Sequence, residues 1–132
     1  MKRFLLFLLL IPFTMFPQVV DTISTGGASN MSFNPDTVIL NVGQSVYFDL
    51  TFAHNAGEVS ESEWLANGAN LNGGFYFGFG ASGIFVADSV KTYYYVCQPH
   101  AGMGMKGVII SNSPGCTDST ACNYDPTATI ND

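Results

Sequence analysis

Between Phe33 and Phe52 apolar and polar residues trade places almost one for one. In FNPDTVILNVGQSVYFDLTF, Val38, Leu40 and Val42 share one side of an extended chain, a Gly43-Gln44 turn follows, and Val46, Phe48 and Leu50 line one side again. A period of two puts such residues on one face of a pleated strand, so the phrase predicts two strands of a half-buried sheet. GIFVADSVKTYYYVC adds two further runs, Ile84 to Ala87 and Thr92 to Val96, and KGVIIS closes the body of the chain. Nothing from Val19 to about Asn112 keeps a convincing helical period. Short β-branched and aromatic runs separated by Gly, Asn, Asp and Pro predict an all-β fold, a Greek-key β-sandwich or barrel. EVSESEWLANGANLNGG, residues 58–74, is less regular: SESEW can open a short helix from Ser60 or Ser62, which the following Gly and Asn end.

The two ends differ from this body. MKRFLLFLLLIPFTMFPQ sets Lys2 and Arg3 before an apolar run from Phe4 to Phe13, the pattern of a secretory signal peptide and too short to span a bilayer comfortably. Residues 1–18 are therefore expected to be a leader cleaved beside Gln18, with a retained membrane anchor as the alternative. Residues 19–112 form the predicted domain, SNSPG reads as a linker, and residues 113–132 are a small, polar tail with too few apolar groups for a core of its own. Beyond the leader, Lys91 and Lys106 face ten carboxylates, a net charge of −8. Nucleic acid and anionic membrane surfaces are poor partners for such a chain. GFGASG, Gly78 to Gly83, matches a dinucleotide-binding spelling, but no helix or βαβ unit surrounds it, so it is read as a glycine-rich loop. Asn30-Met31-Ser32 is a glycosylation sequon that matters only in a eukaryotic cell.

CQPHAGMGM, residues 97–105, places a thiol, an imidazole and two thioethers within nine residues, and the chain has only one other histidine, His54. Of three cysteines, Cys116 and Cys122 lie in the tail, which leaves Cys97 without an obvious partner and open to other chemistry. In a sandwich, the end of the strand before His54 and the loop after Thr92 to Val96 can meet at one pole. A thiolate, two imidazoles in a roughly trigonal plane and a weak axial thioether suit copper cycling between its two common oxidation states, with no open position for a substrate. Taken singly, each residue has an ordinary alternative: a satisfied polar histidine, a small buried thiol, a core methionine. The joint spacing is what points to a metal.

His54 followed by Asn55, and Cys-x2-His-x4-Met with Pro99 before the second His, resemble the type 1 (blue) copper site of cupredoxins, in particular the plastocyanin, pseudoazurin and halocyanin group. The resemblance covers about residues 30–112 and includes the strand phrase FNPDTVILNVGQSVYF. It implies one copper ion per chain held by His54, Cys97, His100 and Met105, with Met103 a surface residue beside the site. It also implies that Asn55 ties the two ligand loops together by hydrogen bonds behind the ligands, with Pro99 as a second supporting residue. In that group the downstream histidine reaches solvent through an apolar patch where the electron leaves, which would here be Pro99, Ala101, Gly102 and Met103 around His100. The implied function is a one-electron carrier outside the cytoplasm, periplasmic, secreted or on the cell surface. It would be monomeric, not an enzyme, and in contact with transient redox protein partners.

The chain lacks the charged docking patches that would name a photosynthetic partner, and NGGFYFGFGASG is unusually rich in Gly and Phe. A photosynthetic role is therefore not carried over. The tail GCTDSTACNYDPTATIND resembles a short Cys-rich repeat of exported Bacteroidetes-type proteins without its closing Gly-Ser-Cys, which implies a fragment of a longer surface protein. Cys116 and Cys122 can pair with each other or with cysteines further on. Asp118, Asn123, Asp125, Asn131 and Asp132 can contact Ca²⁺, but they lack EF-hand spacing and read more simply as a polar linker. A copper enzyme is disfavoured for want of further histidines. Extracytoplasmic copper storage or delivery, and a surface-attached structural sandwich, remain the alternatives to electron transfer.

Overall fold

Nine strands among the described residues form two sheets. In the computed structural model, which describes residues 18–27 and 29–131, the strands are β1 (Val19–Thr25), β2 (Phe33–Asn34), β3 (Thr37–Asn41), β4 (Ser45–Asp49), β5 (Ala56–Val59), β6 (Leu71–Phe77), β7 (Ser82–Val86), β8 (Thr92–Val96) and β9 (Lys106–Asn112). One sheet runs β2-β1-β4-β7 and the other β3-β9-β8-β5-β6. Two parallel pairings, β1 with β4 and β3 with β9, join strands distant in sequence, and the remaining pairs are antiparallel. This is the expected all-β sandwich. The expected leader lies outside the described residues apart from Gln18.

Its interior is aromatic. Phe48 of β4 stacks on Phe77 at 4.8 Å between ring centroids and meets Tyr95 edge-on at 5.5 Å, while Phe33 meets Tyr95 at 4.9 Å. Phe75, Phe85 and Tyr93 extend the array across the sheets with centroid spacings of 4.7 and 4.8 Å. Offset and edge-to-face pairs at such distances add to the gain from apolar burial. Val46, Phe48 and Leu50 are buried as the alternation requires, as are Val38 and Leu40.

One prediction needs correction. β3 and β4 do not form a hairpin in one sheet: the Gly43-Gln44 turn carries the chain from one sheet to the other. Its polar groups are satisfied by distant partners, with Gly43 N donating to Ala87 O (2.8 Å), Ala87 N to Gln44 O (3.0 Å) and Val42 N to Asn112 O (2.9 Å). Val42 therefore falls past the end of β3 and stays 41% exposed instead of joining Val38 and Leu40 inside.

SESEW does form a helix. α1 (Glu61–Leu65) starts at Ser60, whose hydroxyl accepts from Glu63 N at 3.2 Å. It sets Trp64 on the outer face of the second sheet, against Tyr94, with its indole N–H donating to Gly107 O at 3.0 Å and Lys106 Nζ 4.0 Å from its ring centre. The tail turns back on itself. Asp118 and Asp125 each accept from the N–H and hydroxyl of the threonine two residues on, and Thr129 N donates to Ser113 O. Cys116 and Cys122 are not joined to each other.

Candidate metal centre

β8 aims Cys97. Along this strand Tyr93 and Tyr95 point into the sandwich, and the chain is still extended at Cys97 (φ −84°, ψ 113°), so the alternation delivers its sulfur to the same interior. A 3-10 helix, Gln98–Met103, then turns the chain back. His100 N donates to Cys97 O, Met105 N to His100 O and Cys97 N to Met105 O, all at 3.0 to 3.1 Å, which ties the loop across its own base. Gly104 ends the helix at φ +86°, a left-handed conformation that glycine adopts without the penalty a side chain would bring.

His54 arrives from the other sheet. After β4, His54 N donates to Thr51 O at 2.9 Å, and Gly80 N donates to both Thr51 O and His54 O at 3.2 Å. At Gly80 a Cβ would stand 3.1 Å from the Phe52 backbone, and φ is +66°. This glycine of GFGASG, a motif empty of nucleotide chemistry, is thus what lets two loops close around His54. Asn55 links them to the third. Its Oδ1 accepts from Gln98 N (2.8 Å), and its Nδ2 donates to Gln98 Oε1 (3.1 Å) and Tyr76 Oη (3.2 Å).

Three donor atoms converge. His54 Nδ1 and His100 Nδ1 lie 3.1 Å apart, and Cys97 Sγ is 3.7 Å from the first and 3.3 Å from the second. A triangle with sides of 3.1, 3.3 and 3.7 Å has a circumradius of about 2.0 Å, close to the ~2.0–2.3 Å of metal–imidazole and metal–thiolate bonds. Among the described residues, this is the one cluster of His, Cys, Asp or Glu able to hold a metal, and it contains no carboxylate. Soft and borderline donors without oxygen exclude a calcium or magnesium preference and suit copper or zinc. His54, Cys97 and Met105 are sealed from solvent, and Met105 packs in the same core as Cys97. Only His100 is partly exposed.

The electrostatics fit a cation. Burial pushes the His54 imidazole below its ordinary 6.5; the Gly27 carbonyl opposes this and neighbouring His100 adds to it, so His54 is held neutral with a lone pair available. Burial likewise pushes the Cys97 thiol above 9.0, partly offset by the backbone amides of Asn55 and His100 that face the sulfur. His54, Cys97 and His100 would hold a metal cation here, with Cys97 giving up its thiol proton to bind as the thiolate.

The four ligand positions expected from the sequence and Asn55 therefore sit at one pole. The surface patch differs: Pro99, Gly102 and Met103 are exposed, but Ala101 is 1% exposed and packs inward against Val59 and Val96. Contrary to expectation it is not part of the patch, because the 3-10 turn points it at the outer face of β8. Phe52 (79% exposed) and Phe79 (58%) stand on the His54 side of the pole. Nothing in the sequence assigned them a role at the site. Gln98 and Tyr76, which brace Asn55, carried no signal at all.

A family model for copper-binding proteins of the plastocyanin/azurin family matches residues 20–112. A plastocyanin from Scenedesmus fuscus is 32% identical over 97 residues, covering 67% of this chain and 95% of its own length. Native pseudoazurin from Hyphomicrobium denitrificans superposes with a TM-score of 0.52 at 26% identity, over 69% of this chain and 73% of that one. The oxidised plastocyanin of Dryopteris crassirhizoma shares the fold with a TM-score of 0.50 at 21% identity, over 68% and 98% of the two chains.

Proposed function

The chain belongs to the plastocyanin/azurin family of copper-binding proteins, and from that membership we propose that it is a one-electron carrier, exported from the cytoplasm and without catalytic turnover. The observation that carries this reading is the convergence of Cys97 Sγ and the two Nδ1 atoms on one point. Copper held there supplies a couple between Cu(I) and Cu(II).

The protein's part is to keep its donors still. His54 is held by the Thr51 and Gly80 contacts, Cys97 by the β8 pleat and the Met105 carbonyl, and His100 by the 3-10 turn. Asn55 joins the two ligand loops, so neither moves without the other. Supporting groups behind the ligands set their orientation and basicity. Buried His54, Cys97 and Met105 exclude water from the site. With the imidazoles, the thiolate and the thioether in place, no position remains for a substrate, which favours a relay over an oxidase or reductase.

His100 is the one ligand that reaches the surface, and it does so among exposed Pro99, Gly102 and Met103. Such a small, uncharged contact suits brief docking of a redox protein to a monomer. Export rests on Lys2, Arg3 and the apolar run behind them. No helix among the described residues is long and apolar enough to cross a membrane.

Reconstitution tests the site. One equivalent of Cu(II) added to the purified chain should give an intense visible thiolate-to-copper band and a narrow copper hyperfine splitting, both absent in Cys97→Ser. A colourless wild-type protein, or a band that survives Cys97→Ser, would overturn the reading.

A further inference from the structure

The metal-binding loop carries two thioethers in opposite settings. Met105 is 0% exposed, whereas Met103 is 62% exposed although it is a large apolar side chain. Three of the four donors have no contact with water, so an ion arriving from solvent meets His100 first. His100 and Met103 are three residues apart in the 3-10 helix Gln98–Met103. That helix repeats every three residues, so side chains three apart eclipse each other on one face. The exposed thioether thus shares a face with the one solvent-reaching imidazole. Nothing charged competes for an ion in the stretch PHAGMG, and Gly102 leaves the surface between them open, with no atom within 4 Å of where a Cβ would stand.

Resting on the copper reading above, we propose that Met103 and the outer edge of His100 form a surface acceptor that captures Cu(I) and passes it inward to Cys97 and His54. Thioethers are soft ligands that select Cu(I), the form in which a neutral sulfur competes best. In the transfer, the Met103 sulfur and His100 Nε2 release the ion as Cys97 Sγ, His54 Nδ1 and His100 Nδ1 take it, and the imidazole proton of His100 moves through solvent from Nδ1 to Nε2. The Cys97 thiol proton passes to solvent, and the oxidation state of copper does not change.

The test is the rate of loading of the full-length, metal-free chain by Cu(I) supplied as its acetonitrile complex without oxygen, followed by the ultraviolet absorption of the thiolate–Cu(I) bond. Met103→Leu keeps the volume and, being at the surface, leaves the fold alone. It should load Cu(I) about tenfold more slowly, load Cu(II) at the wild-type rate, and reach the same copper content and visible spectrum. Cu(I) loading at the wild-type rate would overturn the proposal, as would equal slowing of Cu(I) and Cu(II), which would mark a steric effect. A wild-type chain that takes up neither ion would bring down the copper reading and this proposal together; uptake indifferent to Met103 sinks only the capture step.

Discussion

At the scale of single residues, Asn55 does more for the site than its position beside a histidine suggests. It is 1% exposed, and its amide makes three hydrogen bonds to Gln98 and Tyr76. Asn55→Ala leaves the Gln98 N–H without its acceptor, a loss of about 1–3 kcal/mol. We expect a lower urea midpoint for the metal-free protein and faster copper loss to a chelator, with the spectrum of the loaded form little changed. The ligands themselves make metal-free stability depend on pH. His54 titrates below its ordinary 6.5 in the folded state, so the unfolded chain binds the proton first, and the stability tied to this group is present above 6.5 and lost as pH falls through the folded value. Cys97, held above 9.0, works the other way: its contribution is present below 9.0 and lost as pH rises through the folded value. Urea midpoints of the metal-free chain should therefore fall on both sides of a plateau, and His54→Gln should remove the decline between 6.5 and about pH 5, above the range where ordinary carboxylates titrate. These ligand residues were legible in the sequence because rare residue types fell at fixed spacings. Gln98 and Tyr76 were not, because a glutamine and a tyrosine acquire their role only when the loops meet.

At the scale of elements, legibility followed the period. β3 and β4 were readable from their alternation, and β7, β8 and β9 as short β-branched and aromatic runs; in the structure β8 alternates in burial and carries that alternation on to Cys97. β5 has all four residues buried, so it offered no alternation to find. β6 was hidden by Gly73-Gly74, which argues against a strand on propensity alone. The packing explains Gly74: a Cβ there would run into the carboxylate of Glu58, which is buried and accepts from Lys91 Nζ (3.1 Å) and Asn72 Nδ2 (3.2 Å). Which sheet each strand joins was also beyond reach, since the partners that divert the Gly43-Gln44 turn lie far along the chain. α1 matters through Trp64, which covers the outer face of β8 and β9 behind the site. Trp64→Phe keeps an aromatic side chain against Tyr94 but removes the pyrrole half of the indole with its N–H bond to Gly107 O. A loss of about 1 kcal/mol is expected in chemical denaturation, with the visible spectrum of the copper form unchanged because Trp64 touches no ligand.

At the scale of the whole molecule, two loop-bearing ends of opposite sheets are brought to one pole and sealed by an aromatic interior. The seal leaves a single ligand edge at the surface, flanked by Met103 on its own helix and by Phe52 and Phe79 on the His54 side. The chain carries a net charge of −8 beyond the leader, but the stretch Pro99 to Gly104 around His100 has no ionised carboxylate or amine. Docking there should depend little on salt compared with a charged interface. Whether this pole passes single electrons is decided by a potentiometric titration of the copper-loaded protein, followed at the thiolate-to-copper band. An electron carrier should give one Nernst wave for one electron that retraces itself on reoxidation with copper retained. A wave that does not return, or copper lost on reduction, would contradict electron transfer and leave a protein that stores or delivers the metal.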